Sequence, residues 1–286
     1  MLILQCFLYP DNHKLYRVFI TEPINYNMRE DLKALADVYS RIITESNGRR
    51  IITGNVSLRG LFLKELPEWL AGVEIGGYFD CSRNLLTSLK NSPISNAFHC
   101  TSNKLTTLKG APSSCVEFYC GENRLRTLEF GPSKVTEAYH CDRNLLTDLV
   151  GAPTEFGTTE PIQGGFGVDF NCSNNNLTTL KGGPQGTVGI YNCTFNNLRT
   201  LEFAPREVEE SFDCSDNKLT TLVGGPEIVQ DEFDCSHNQL TTLEGAPSDI
   251  HVIYCHGNKV DFTKEYIVEM VPSVDIYYLD AQFGDD

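Results

Sequence analysis

The chain has 286 residues, 41% of them hydrophobic, and a formal net charge of −15. Such an apolar share supports a sizeable core and excludes wholesale disorder, and the length suits one elongated domain or two compact ones. The negative charge argues against direct binding to a nucleic-acid backbone or an anionic membrane, and suits a basic partner or a site that normally receives DNA.

In chain order, the opening stretch "LQCFLYPDNHKLYRVFIT" reads as a hairpin turning at Pro10-Asp11-Asn12. It carries neither the basic n-region nor the small-residue cleavage site of a signal peptide. No run of eighteen apolar residues marks a membrane-spanning helix. Next, "NMREDLKALADVYSRIITES" places Leu32, Leu35, Ala36, Tyr39, Ile42 and Ile43 at helical spacing, with Asn27 as the N-cap. Residues 1–55 are therefore expected to form a small α/β N-terminal cap.

From residue 56 the sequence repeats. Nine registers align on Cys81, Cys100, Cys120, Cys141, Cys172, Cys193, Cys214, Cys235 and Cys255, spaced 19 to 21 residues apart except for one gap of 31. Asparagine follows each cysteine by three residues, from Asn84 to Asn258. Leucine follows by five, from Leu86 to Leu240, with Val260 closing the series, and again by eight, from Leu89 to Leu243. Proline follows by twelve, and Phe, Tyr or Ile stands two residues before the cysteine. "VSLRGLFLKELPEWL" is a degenerate first coil, with Leu58 in the cysteine place and Leu61 in the asparagine place.

This F-x-C-x-x-N-x-L-x-x-L pattern resembles a leucine-rich repeat. Its short period and "L-x-G-x-P" segment resemble the short-repeat effectors of bacteria and the leucine-rich proteins of large bacteriophages. The resemblance covers residues 56 to about 262 and implies a scaffold that hosts many partners.

Elementary geometry leads to the same architecture. In Phe212-Asp213-Cys214 the side chains alternate, so Phe and Cys face the interior and Asp faces out. One short strand per coil then stacks into a parallel sheet. A coil of about twenty residues has no room for a helix on its back, and Gly-Pro and Ala-Pro pairs suggest an extended, polyproline-like return. The expected fold is an α/β solenoid: a slab with the parallel sheet on its concave face and an extended convex face. Ten coils at a strand spacing of about 4.8 Å would span about 45–50 Å. An insertion near residues 154–165 occupies the long gap and should leave the slab as a loop. Residues 263–286 should close it as a short helix or strand cap with an acidic tail.

The neighbouring His99-Cys100, His140-Cys141 and Cys255-His256 resemble a nucleophile and base, but alternation sends the two side chains to opposite sides of the sheet, beyond hydrogen-bond reach. Cysteines stacked along a line do not converge on a tetrahedral metal either. No catalytic residue, metal site or cofactor is therefore assigned, and the chain reads as a non-enzyme. The thiols fit as small buried hydrophobes, reduced rather than disulfide-bonded, which suits a cytoplasmic home, that of a host cell if the chain is viral.

What the repeat leaves free is the outward surface of the strands. There Tyr78, Asp80, His99, Tyr119, His140, Asp142, Asp213, Glu232, Asp234 and Tyr254 are the candidate contacts. Aromatic and histidine residues occupy the first half and acidic residues the second. The expected function is a protein–protein interaction module that binds through its concave face. The resemblance further implies a phage or bacterial effector that modulates a host protein. The competing reading is an acidic decoy occupying the nucleic-acid site of a host or defence enzyme.

Overall fold

The computed structural model of the chain describes residues 28–157 and 167–278. The N-terminal hairpin, Asn27, residues 158–166 of the insertion and the acidic tail lie outside the described residues. The chain divides into two compact units, Met1–Ser40 and Arg41–Asp286.

In the first unit a helix spans Met28–Ser40. It stops earlier than the apolar spacing implies: Ile42 lies beyond it, and Ile43 opens the strand Ile43–Thr44 and is 54% exposed. The pair is β-branched, and such side chains fit a strand more readily than a helical turn.

In the second unit Ile43–Thr44 pairs antiparallel with Arg50–Ile52, which starts the parallel ladder by pairing with Val73–Asp80. The ladder then runs through Ile94–His99, Ser114–Tyr119, Lys134–His140, Asp169–Asn171, Tyr191–Asn192, Phe212–Asp213, Glu232–Asp234 and Val252–Tyr254 to Ile276–Tyr278. Lys134–His140 pairs directly with Asp169–Asn171, so the insertion adds no strand to this path. Val56–Ser57 pairs with Phe79–Asp80, which places Leu58 opposite Cys81 and bears out the degenerate coil.

Register stacks like on like. Phe79, Phe98, Phe118, Tyr139, Phe170, Tyr191, Phe212 and Phe233 form one buried column with ring centroids 5.2–5.8 Å apart. The cysteines form a second column, and both leucine rows are fully buried. Burying each large side chain contributes about 1.5–3 kcal/mol, and only stacking can bury it. Val260 departs from its row at 39% exposure; Phe262 is buried instead, stacked on Tyr266 of the C-terminal helix Lys264–Met270. Thr263 caps that helix by accepting from the Tyr266 N–H.

The asparagine row links the coils. Asn196 Nδ2 donates to the carbonyls of Cys193 in its own coil at 3.0 Å, Cys172 in the preceding coil at 3.1 Å, and Thr194 at 3.1 Å. Its Oδ1 accepts the Leu177 N–H at 2.9 Å. Asn84 makes the same contacts to Leu58, Cys81 and Leu63. The residue before each asparagine turns the chain through a left-handed conformation, as at Arg83, Ser102 and Phe195.

The expected extended return opens on a hydrogen-bonded turn. The Ala111 N–H donates to the Leu108 carbonyl at 2.9 Å, with Gly110 at φ +99°, and the same turn recurs along the back. A second short sheet follows, formed by Thr187–Val188, Glu207–Val208 and Ile228–Val229.

Two expected outcomes follow from this packing. Asn196→Ala strands the Leu177 N–H, while the Cys172 and Cys193 carbonyls each keep one donor, Asn175 and Asn217, and it should lower unfolding free energy by about 1–3 kcal/mol in a denaturant titration. Asn196→Asp keeps the acceptor but presents a carboxylate to three carbonyls, and should be worse at pH 7 than the alanine. Separately, the buried Tyr191 hydroxyl has no nitrogen or oxygen partner among the described residues, only the weakly bonding Cys172 thiol beside it, and a Cβ at Gly183 would lie 3.3 Å from it. Tyr191→Phe should therefore raise stability by about 1 kcal/mol. A double-mutant cycle should show Gly183→Ala costing less in that background.

Candidate functional site

Each ladder strand sends alternate side chains into the core and onto an open face, and the half-buried positions mark that face: Asp80, His99, Tyr119, His140, Asp213, Glu232, Asp234 and Tyr254 each flank buried neighbours. The neighbouring cysteines point the other way. Cys100 and Cys141 are fully buried, opposite His99 and His140, and burial pushes both thiols far above their ordinary range. Their sulfurs serve the fold: the Cys214 thiol donates to the Asp234 carbonyl at 3.1 Å and the Cys100 thiol to the Tyr119 carbonyl at 3.3 Å. Among the described residues no group of three or more His, Cys, Asp or Glu could hold a metal ion.

The sequence-predicted residues fall into two clusters rather than one surface. Tyr78, Asp80, His99, Tyr119, His140 and Asp142 lie on four consecutive strands or just beyond them. Asp213, Glu232, Asp234 and Tyr254 lie on three others. The strands Asp169–Asn171 and Tyr191–Asn192 separate the two groups.

In the first cluster the rings touch in sequence. Tyr78 stacks on His99 at 5.9 Å and 3°, His99 meets Tyr119 at 4.6 Å, and Tyr119 meets His140 at 4.7 Å. Residues without bulk make room beside them. Ala97 stands in register between Tyr78 and Glu117, Ala138 next to Glu117, and a Cβ on Gly121 would come 2.5 Å from the Asp142 carboxylate. Glu117 lies 3.4 Å from His99 Nε2. Burial, then Glu117, pushes the Tyr119 hydroxyl up to about 12. Burial holds His140 below the usual imidazole range even though Asp142, Asp169 and Glu117 pull the other way. Burial also raises Asp142 and Asp169. Arg143 reaches Asp142 at 3.3 Å.

In the second cluster the carboxylates have a structural duty. Asp213 Oδ1 accepts the Ser215 N–H at 3.0 Å and Asp234 Oδ1 accepts the Ser236 N–H at 2.8 Å. Asp80 does the same for Ser82, and Asn171 and Asn192 for Ser173 and Thr194. This is an Asx turn that ends the strand. Burial, with the neighbouring Asp234 adding repulsion, raises Asp213 to about 6. Tyr254 stacks on Tyr278 at 4.6 Å and 3°.

Three features escaped the sequence reading. Glu117 and Asp169 join the first cluster, but only the pairing register shows which rings they face. The positions one and three residues before each cysteine hold no lysine or arginine, and the guanidiniums of Arg59 and Arg143 reach Asp80 and Asp142 from neighbouring turns. Phe130 and Phe203 take left-handed conformations at the turn position that glycine fills in most coils, and are 64% and 46% exposed. The signal for them is legible: "LRTLEF" occurs at 125–130 and again at 198–203.

Comparison with solved structures finds the functional domain of InlJ from Listeria monocytogenes, which includes a cysteine ladder, at 20% sequence identity and a TM-score of 0.45 over 78% of this chain and 52% of that one. The chain thus spans about half the length of that domain. YopM from Yersinia enterocolitica WA-314 is similar at 19% identity and a TM-score of 0.38, over 90% of this chain and 69% of that one. No protein-family model matches the chain, and no curated protein matches it. Among the described residues no helix is long and apolar enough to cross a membrane. By its own pairing register the chain is a parallel-sheet solenoid of leucine-rich coils.

Proposed function

We propose that the chain is a non-catalytic protein-interaction module that receives its partner on the open face of the sheet, centred on Tyr78, His99, Tyr119 and His140. The observation that carries this reading is the ring ladder itself. Four polar-tipped rings lie in mutual contact on a surface whose folding needs only solubility, and aromatic clusters of this kind are enriched where partners dock. A reducing compartment such as a cytoplasm, that of a host cell if the chain acts as an effector, suits the buried free thiols.

A second reading keeps the acidic stretch as the contact, with the protein occupying a site that normally takes nucleic acid. The observation favouring it is Asp213. Its ionised form bears a desolvation cost although asparagine performs the same turn-ending duty at positions 171 and 192. Retaining a costly charge where a neutral residue would serve is a mark of function over stability.

Site-specific photo-crosslinking separates open-face from back-face binding. A photoreactive residue at Tyr78 should capture the partner and one at Lys181 on the back should not; capture only from Lys181 would sink both readings. Tyr119→Ala with His140→Ala should abolish capture under the first reading, whereas Glu232→Gln with Asp234→Asn should do so under the decoy reading. Asp213 also gives a pH dependence. A carboxyl with a raised pKa in the folded state binds its proton more tightly there, so its contribution to stability is present at about pH 4 and lost as pH rises through about 6. Asp213→Asn should therefore raise unfolding free energy by about 1–2 kcal/mol at pH 7. Below about pH 4 the variant and parent should melt alike.

A further inference from the structure

We propose that the back of the solenoid carries a self-association strip, whose occupant is a second copy of this chain. The duplicated "LRTLEF" carries the inference. Phe130 and Phe203 stand ten residues after their cysteines, where the coils from Cys81 to Cys235 otherwise have glycine or, once, Asn91. Both hold left-handed conformations, at φ +68° and +69°, and are 64% and 46% exposed. Glycine takes such a turn without strain and exposes no ring. Neither phenylalanine fills the core, so stability gives no reason for it.

Charges are duplicated with the rings. Six residues after the cysteine the same coils otherwise carry threonine, but these two carry Arg126 and Arg199, and Glu129 and Glu202 precede the phenylalanines. All four are exposed, and none has an ion pair among the described residues. In the coil that follows each motif, Val150 and Val223 take the glutamate position and are 42% and 54% exposed. The Val150 carbonyl accepts the Leu128 N–H at 3.2 Å, which seats it against the first motif. Two equal units of Arg, Glu, Phe and Val thus line the back three coils apart, about 14 Å at the strand spacing.

An occupant that engages both units must repeat at that interval. Residues on one face of an α-helix recur about every 10.5 or 16.5 Å, out of step with it. A second copy has the same interval, and its charges match. Two copies packed back to back about a two-fold axis parallel to the solenoid keep their coils level and reverse the direction of each coil. The order Arg–Glu–Phe in one copy then meets Phe–Glu–Arg in the other. Arg126 faces Glu129 and Phe130 of the second copy, with the reciprocal contact beside it, and Arg199, Glu202 and Phe203 repeat the arrangement. A guanidinium so placed has both a carboxylate and an open ring. Antiparallel pairing would instead set Arg126 against Arg199. The strip spans about 19 Å, and the charge of −15 on each copy opposes association, so the dimer belongs to the weak, transient class. Packing through the back leaves both open faces uncovered, so it stands apart from the open-face reading and gives a dimer two partner sites.

The test is sedimentation velocity of the full chain from about 5 to about 500 µM at about 0.15 M salt. The weight-average mass of the parent should rise with concentration toward twice that of a single chain. Phe130→Gly with Phe203→Gly, which installs the residue of the neighbouring coils, should keep a native circular-dichroism melt and stay monomeric. Arg126→Glu with Arg199→Glu should stay monomeric too, as should Glu129→Arg with Glu202→Arg. An equimolar mixture of these two charge variants should associate, because each then meets its opposite. A parent that stays monomeric throughout, a dimer that persists in the double-glycine variant, or charge variants that stay apart on mixing would overturn the strip. A photoreactive group at Lys181, between the two units, should yield a covalent dimer of this chain, told by its mass from capture of another protein.

Discussion

The structure depends on one side chain placed once per coil. The carboxamide of each asparagine donates to its own coil and the preceding one and accepts an N–H of that preceding coil, so it fixes the height at which the chain must pass. Coil length can vary without disturbing this. Asn144, Asn175 and Asn196 lie on either side of the long gap and of an ordinary one, yet their bonds to the preceding cysteine carbonyl are all 3.1 Å. Register is thus set by buried hydrogen bonding rather than by residue count, and the insertion after Pro153 can be accommodated off the main ladder. Because the amide is enclosed, removing its partners would strand polar groups away from water, which makes the link obligatory.

That constraint also explains what was legible in the sequence. Stacking gives every coil the same surroundings, so Cys, Asn and Leu must recur, and recurrence can be read without a structure. The row that ends the return path was harder to see. Ile75, Ser95, Cys115 and Val135 are all buried, but they stand six, five, five and six residues before their cysteines. Shifts in register between Ile75 and Tyr78 and between Cys115 and Glu117 absorb the difference, so alignment on cysteine blurs the row. Val260 misled for the opposite reason. It holds its place in the spacing, but there the chain is leaving the last coil, and Phe262 is the residue buried.

The candidate site was legible as a set of positions and not as an arrangement. Alternation correctly placed Tyr78, His99, Tyr119 and His140 on the face opposite the cysteines. The coil count already sets the Cys172 and Cys193 coils between them and Asp213, but it could not show which rings touch. Nor could it reveal that the second group carries backbone hydrogen bonds. An aspartate at the end of a strand looks like a free surface charge in a sequence, whereas here one of its oxygens is already committed to the turn.

The position immediately before each cysteine is where fold and recognition compete. Asp80, Asn171, Asn192, Asp213 and Asp234 use it to close the turn through a side-chain acceptor. His99, Tyr119 and His140 occupy the same position and make no such bond among the described residues, so three consecutive coils forgo a hydrogen bond worth about 0.5–1.5 kcal/mol each. Ring–ring contact returns about 0.5–1.5 kcal/mol per pair, enough to offset the loss only while the three remain neighbours. A single aromatic among capping residues would lose the turn without gaining a stack. The ladder is therefore a cooperative replacement of one stabilising device by another of similar size, and what distinguishes the two is the surface each presents. Capping leaves short polar side chains folded back on the turn, and stacking leaves ring edges and polar tips bordered by Glu117, Asp142 and Asp169. Stability alone gives little reason to prefer the second, which is why function is sought in these coils.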